Sequence, residues 1–373
     1  MSPASFLRRF WQRRPLLVRG AFAELAGTLP DRELLALAAR RDALVRLVRR
    51  ERGRFRLEHG PFPRRALAAL PGRDWTVLVQ DVEKWLPERF APLLRGFAFL
   101  PSWRIDDVMV SLAAPGGSVG PHIDRYDAFL IQGSGRREWR LDLRAGGWRP
   151  WPGSELRLVR GFRATWRALL EPGDALYLPP GIPHHGIALE RAQTWSLGLR
   201  APALGELLGA LADQLLEDEA PELLADPDLE ARRRAGELTP KDLRRFARAL
   251  ATALADRERL AVAIARFLST WRSEARLSPR RSRPDPGRLL RAGGRLRRRP
   301  WSRAVWWRSG EQVRLALAGE LFAATARLAG RIAGGGWIDA RALPDPVPEE
   351  LELLRRLAAL GALELAMPSD PVR

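Results

Sequence analysis

Cysteine is absent from the 373-residue chain. Its absence excludes disulfides, zinc–thiolate centres, iron–sulfur clusters and thiol nucleophiles, so any bound metal must take nitrogen and oxygen donors. Histidine is nearly as scarce, with only His59, His122, His184 and His185. Lysine occurs twice, at Lys84 and Lys241. No apolar run reaches the length of a signal sequence or a membrane span, so no membrane partner is expected and the cytoplasm is the expected location. The N-terminus places Arg8, Arg9, Arg13, Arg14 and Arg19 ahead of the first acid, Glu24, which gives it the charge of a transit peptide. Phe10, Trp11 and the Pro15 to Val18 run instead have the pattern of a folded edge element.

What is present is apolar and basic. Hydrophobic residues make up 46% of the chain, including 14 Trp and 13 Phe, enough to fill substantial cores in two or three domains. The formal charge of +19 rests almost wholly on arginine. A GC-rich genome accounts for arginine in place of lysine but not for the excess of base over acid. Proximity to the ribosome or to RNA through a basic surface is therefore one reading and codon drift the other.

The pattern predicts an α+β protein. Helical spacing covers Asp31 to Arg50 and Asp81 to Leu94, followed by short strands at Val108 to Ala113, Asp127 to Gln132, Glu138 to Leu143, Ala175 to Leu178 and Thr194 to Leu199, which suits a small barrel over residues 1–202. Residues 203–275 turn helical, at Leu204 to Leu216, Leu229 to Ala235 and Pro240 to Phe267, with Thr239 and Pro240 as N-cap and first helical residue. Their apolar stripe suggests a homodimer contact, or packing on the barrel. From Arg276 to Arg308 there are twelve arginines and one acid, which reads as an exposed linker over residues 276–300. Residues 301–373 hold a hairpin about Ser309-Gly310, helical patterns near Leu321 to Ile332 and Glu349 to Leu360, and a last strand at Ala362 to Leu365. That mixture is compatible with a winged-helix-like domain.

Two segments carry the chemistry. In Gly120-Pro121-His122-Ile123-Asp124, His122 and Asp124 are two apart, so on a strand both project from one face and can chelate one ion. Some sixty residues on, Pro179-Pro180-Gly181-Ile182-Pro183-His184 offers a third ligand. Two imidazoles and a carboxylate form the facial triad of non-haem Fe(II) oxygenases, which leaves positions open for co-substrate and O2. His185 competes with His184, but adjacent strand residues face opposite ways, and the residue directly after Pro183 is preferred. His59 has no partner in sequence. If the electrons come from 2-oxoglutarate, its distal carboxylate needs a buried cation. Arg137 in Gly133-Ser134-Gly135-Arg136-Arg137-Glu138-Trp139-Arg140 can meet it bidentately, with Arg136 and Arg140 facing the other way. Ser196 could add a hydroxyl contact, or simply pack in its strand. The Gly133 to Gly135 turn has no following helix or lysine to make a phosphate loop.

These motifs, with Phe10-Trp11-Gln12-Arg13-Arg14-Pro15, Pro115 to Asp127 and Pro179 to Gly186, resemble the JmjC-type ribosomal oxygenases, in particular their bacterial arginine-hydroxylating branch. The resemblance implies a JmjC/cupin double-stranded β-helix barrel, a helical dimerisation domain and a C-terminal winged helix. It also implies Fe(II) at His122, Asp124 and His184, and 2-oxoglutarate on Arg137. The implied reaction is β-hydroxylation of an arginine in a large-subunit ribosomal protein, with release of succinate and CO2. The chain differs from the family pattern at Arg125, where glutamine is expected, and at His185, where glutamate is expected; both bear on substrate preference. Two rival readings are a JmjC oxygenase with another target, such as a ribosomal histidine or an N-methyl group, and a nucleic-acid-binding regulator built on the winged helix.

Overall fold

A computed structural model describes residues 1–217, 223–227, 229–231, 236–270 and 284–367. The chain divides into two compact units, Met1–Ala201 and the residues that follow Ala201.

In the first unit the chain runs through α1 (Pro3–Arg9), β1 (Leu16–Val18), α2 (Asp31–Ala38), β2 (Val45–Glu51), β3 (Arg54–His59), α3 (Arg64–Ala68), β4 (Trp75–Val79), α4 (Val82–Trp85) and α5 (Pro87–Gly96). The barrel strands follow: β5 (Ile105–Ala113), β6 (Asp127–Ser134), β7 (Arg137–Leu141), β8 (Arg149–Pro150), β9 (Val159–Arg160), β10 (Trp166–Leu170), β11 (Ala175–Leu178), β12 (His184–Ala188) and β13 (Ala192–Leu199). The strands of this unit form an eight-stranded sheet, ordered β1-β11-β6-β13-β5-β4-β2-β3, and a three-stranded sheet, β10-β7-β12, while β8 and β9 pair only with each other. Together they make the double-stranded β-helix. The minor sheet is extended by the segment before β6. Gly116 donates to Ala188 O (2.8 Å), Ala188 to Gly117 O (3.1 Å), and His122 and His184 exchange backbone bonds of 3.0 and 2.9 Å.

The two faces of the major sheet differ. One face carries Val108, Val110, Leu112, Phe129, Ile131, Trp195, Leu197 and Leu199, which join Leu34, Phe90 and Leu93 of the flanking helices in the main hydrophobic core. The other face is lined by the residues that alternate with these along the strands. There Ala128, Leu130, Leu176 and Leu178 meet Trp139, Leu141 and Leu170 of the minor sheet in a smaller cluster. Most apolar burial of this unit thus lies outside the barrel, between sheet and helices.

The helix expected over Asp31 to Arg50 ends at Ala38, and Val45–Glu51 is strand β2, paired on both sides. Its apolar residues Val45, Leu47 and Val48 are buried between β3 and β4, and cross-strand packing overrides a spacing that also fits a helix. The N-terminal arginines precede an edge strand, since β1 pairs with β11. Phe6 of α1 is buried against Tyr177 and Phe129.

The second unit begins with α6 (Leu204–Leu216), α7 (Pro240–Ala255) and α8 (Arg257–Thr270). The single helix expected from Pro240 to Phe267 is broken at Asp256, whose extended backbone (ψ 93°) ends α7 and whose carboxylate accepts from Arg259 N in the first turn of α8. Thr239 caps α7, with Asp242 returning a bond to Thr239 N (2.9 Å). The stretch Leu229 to Ala235 lies partly outside the described residues, and 229–231 are not helical. Then come α9 (Pro286–Arg291), β14 (Arg295–Arg298), β15 (Ala304–Ser309), β16 (Gln312–Leu317), β17 (Glu320–Ala323), α10 (Ala326–Gly334), α11 (Pro348–Ala359) and β18 (Leu363–Ala366). The helix expected near Leu321 to Ile332 is thus a strand and a helix, because Leu321 and Phe322 pair with β16.

Of the linker expected at 276–300, residues 276–283 lie outside the described residues. The remainder contains α9 and β14, whose Leu289, Leu290 and Leu296 belong to the core of this unit. Strand β14 pairs with β18, and β15-β16-β17 form a second sheet. Half-buried Arg298 donates to Ile332 O (3.0 Å), a carbonyl in the last turn of α10, and to Ser302 O in the chain between β14 and β15. No described helix is long and apolar enough to cross a membrane.

Candidate metal centre

His122 and His184 stand opposite one another in an antiparallel pair whose two residues exchange both backbone bonds. Such a pair projects its side chains to one side of the sheet, and the two ring centroids are 4.2 Å apart. His122 Nδ1 lies 2.8 Å from Gly120 O and His184 Nδ1 2.9 Å from Ile182 O. A carbonyl only accepts, so each Nδ1 carries the proton and each Nε2 presents its lone pair. Asp124 follows in irregular chain; its Oδ2 is 3.6 Å from His184 Nε2. One ligand atom from each of His122, Asp124 and His184 falls within 4.8 Å of the others, and this is the single such group of three among the described residues. The donor set, with both tautomers fixed, fits a divalent non-haem metal.

Local sequence explains the close approach. Gly120 has φ +86°, and a Cβ there would lie 2.7 Å from the Phe55 ring and 2.8 Å from Leu158. His184 is 2% exposed; burial, then the neighbouring His122, holds its pKa down to about 4 against the pull of Asp124. It is therefore neutral at pH 7, as a metal ligand must be. His185 points the other way, edge-on to the rings of Phe55 (6.4 Å) and Phe162 (6.1 Å), and is not in the group of three. Burial, followed by the charges of neighbouring His and Arg residues, lowers it to about 3. His59 pairs on the surface with Glu155, 3.0 Å away.

In β7, Arg137, Trp139 and Leu141 are buried, while Glu138 and Arg140 alternate outward and pair with one another. Exposed Arg136 pairs with Glu190 at 3.0 Å. The register sets His184 opposite Leu141, Gly186 opposite Trp139 and Ala188 opposite Arg137, so the inward residues of β7 step away from His184 along one line. Arg137 is 4% exposed, has no carboxylate partner, and its Nε and Nη2 make no hydrogen bond. Burial lowers its pKa to about 10, which leaves it a cation at neutral pH. A buried guanidinium with unused donors is a seat for an anion. Ser196 is half-buried in β13 between Met109 and Leu130, on the inner side of the sheet.

Sequence reasoning did not single out Trp139, Asp107 or Tyr126. A Cβ at Gly198 would lie 3.1 Å from Asp107 Oδ1 and 3.6 Å from the Tyr126 ring. The Tyr126 hydroxyl is raised above its ordinary pKa by burial and then by the carboxylates of Asp124 and Asp107, which sets all three in one neighbourhood. The adjacency of Tyr126 to Asp124 in sequence was the available signal.

A JmjC domain model matches residues 92–207, the stretch that holds β5 through β13. The ribosomal protein uL16 3-hydroxylase of Escherichia coli is 38% identical over 282 residues, covering 75% of this chain and 74% of the relative. The chain belongs to the JmjC ribosomal oxygenases. The probable ribosomal oxygenase of Haemophilus influenzae is 32% identical over 302 residues, covering 78% and 74%. Among solved structures, the E. coli ribosomal oxygenase YcfD in complex with cobalt and 2-oxoglutarate matches with a TM-score of 0.85 at 33% identity over 98% of both chains. The same protein with cobalt and succinic acid matches at 0.84 and 32%. The JmjC/cupin barrel of this ribosomal oxygenase is thus the fold that its first 200 residues imply.

Proposed function

We propose that this chain is an Fe(II)- and 2-oxoglutarate-dependent hydroxylase acting on the β-carbon of an arginine in a large-subunit ribosomal protein. The observation that carries the reading is the pairing of the His122, Asp124 and His184 group with an unpartnered, buried Arg137 on the adjoining strand. The E. coli relative is named for 3-hydroxylation of uL16, and YcfD has been solved with cobalt, 2-oxoglutarate and succinic acid.

His122, Asp124 and His184 would hold the iron, with Arg137 binding the distal carboxylate of 2-oxoglutarate and Ser196 contributing a hydroxyl from β13. Bound iron supplies activation of O2 coupled to decarboxylation of 2-oxoglutarate to succinate and CO2. The chain's own residues bind, orient and exclude water. Gly120 O and Ile182 O hold each Nδ1 proton so that each Nε2 stays available. His184 and Arg137 are buried between the inner faces of the two sheets, while His122 and Asp124 are half-buried at the edge of the site. For the target side chain, Asp107 beside Tyr126 offers a carboxylate and a ring face, the pair that suits a guanidinium.

We further propose that the exposed apolar face of α7, with Leu243, Phe246, Leu250 and Leu254, forms a homodimer contact within a helical domain of residues 203–275. The rest of the second unit, from α9 onward, would be a winged-helix-like accessory domain. The basic surface would favour residence near ribosomal RNA in the cytoplasm. The test is incubation of the purified chain with Fe(II), 2-oxoglutarate, O2 and ribosomal proteins. Succinate formation should accompany gain of one oxygen on one arginine, read by tandem mass spectrometry. Oxygen gained on histidine, or loss of an N-methyl group, would replace the proposed target.

A further inference from the structure

The inner face of β7 presents a second buried donor that lacks an acceptor. Trp139 is 4% exposed and its Nε1–H makes no hydrogen bond. An indole N–H only donates, and a buried one ordinarily finds a partner. The ring is held firmly. Gly186, across the strand pair, carries no side chain, and a Cβ there would lie 2.7 to 2.9 Å from the benzo edge of the indole, so the ring rests on bare backbone. Its centroid lies 5.8 Å from that of His184, and the Arg137 guanidinium carbon lies 5.8 Å from the ring. In register it is midway between the level of Arg137 and the level of His184. Two side chains with unused donors, Arg137 and Trp139, therefore lie side by side on the inner face of β7, with the Trp139 ring next to His184 of the metal group.

We propose that Trp139 is a positioning residue that donates its indole N–H to the distal carboxylate of the 2-oxo acid bound by Arg137, and so helps select a dicarboxylate. The inference rests on the reading of Arg137 given above. A lone guanidinium attracts any anion, whereas a second donor fixed at one angle orders the carboxylate plane and so directs the 2-oxo acid from Arg137 toward the metal.

The test uses the full chain loaded with Mn(II) under argon, titrated calorimetrically with 2-oxoglutarate and with 2-oxopentanoate, which has a methyl in place of the distal carboxylate. Trp139→Phe keeps a ring and removes the N–H. The expected result is a rise in the 2-oxoglutarate Kd of about tenfold, the scale of one hydrogen bond to a charged group, with 2-oxopentanoate unchanged. Unchanged affinity for 2-oxoglutarate, or equal loss for both acids, overturns the proposal and leaves Trp139 a packing residue. An independent reading comes from the 15N-labelled wild type loaded with Zn(II). Its Trp139 indole resonance, assigned by its loss in Trp139→Phe or Trp139→Tyr, should move downfield on addition of 2-oxoglutarate, and an unmoved resonance also overturns the proposal. Failure of the wild type to bind 2-oxoglutarate at all would instead defeat the co-substrate reading. Binding that is lost in Arg137→Met but kept in Trp139→Phe would defeat only the role given to Trp139.

Discussion

Replacing Arg137 by Met keeps the aliphatic stem and removes the guanidinium, and the structure predicts opposite effects on folding and on binding. In the free protein the cation is buried without a carboxylate, and burial lowers its pKa from 12.5 to about 10. At 1.36 kcal/mol per unit, keeping it charged costs the folded state roughly 3 kcal/mol. Removing it should therefore leave the metal-free protein as stable or raise the melting temperature by several degrees. With 2-oxoglutarate the balance reverses. The unused Nε and Nη2 donors would make two charge-assisted bonds, each on the order of 1.5–3 kcal/mol, so the Kd should rise by about 100-fold or more. Differential scanning fluorimetry reads both quantities, stability on the metal-free protein and binding on the Mn(II)-loaded protein. Saturating 2-oxoglutarate should raise the wild-type melting temperature and leave Arg137→Met unmoved. A variant that melts well below wild type without ligand would show that Arg137 is structural, and one that binds 2-oxoglutarate normally would remove it from the site.

Further outcomes are expected. His122→Ala, Asp124→Ala and His184→Ala should each abolish Co(II) binding, read by visible absorption, and with it turnover, while His185→Ala retains both; a dead His185→Ala beside an active His184→Ala would reverse the third ligand. Folded-state pKa values of about 4 for His184 and about 3 for His185 lie below the unfolded value of 6.5. The stability they lend the metal-free protein is complete above pH 6.5 and is lost as pH falls toward 4, by up to about 1.4 kcal/mol per unit and group. Urea midpoints that do not fall between pH 7 and pH 5 would contradict this. Leu250→Arg on α7 should convert a dimer to monomer in light scattering with the barrel still folded, whereas an unchanged mass would move the contact elsewhere.

The barrel strands are legible as short apolar runs bounded by glycine and proline turns, although most of them are buried on both faces. Strand β11 and helix α6 are read to the residue, the strand as a short apolar run between the Gly173-Asp174 turn and Pro179-Pro180, the helix from 3.6-residue spacing. The His122, Asp124 and His184 grouping was legible because glycine and proline punctuate both segments. Strand β2 was not, because no glycine or proline separates it from α2 and its apolar residues Val45, Leu47 and Val48 also fit a helical spacing. Helix α9 and strand β14 were hidden by arginine. Arg297 is itself buried, paired with Glu364 and stacked on Trp337, so residues that read as an exposed run serve as packing material. Trp139 escaped notice because a tryptophan in a strand looks like core until its nitrogen is found without an acceptor.

The separation of the two faces of the major sheet bears on how such a protein can change its target over evolutionary time. The stability of the first unit is concentrated where Trp195, Leu197, Phe129 and Val110 meet the helices. Residues such as Met109, Ser111 and Ser196 sit on the opposite side of the same strands, outside that core. A substitution there alters what the cavity admits while leaving the main fold-stabilising contacts untouched, so new specificities can be sampled with little risk of unfolding. The same substitution one position along the strand would strike the core and be purged.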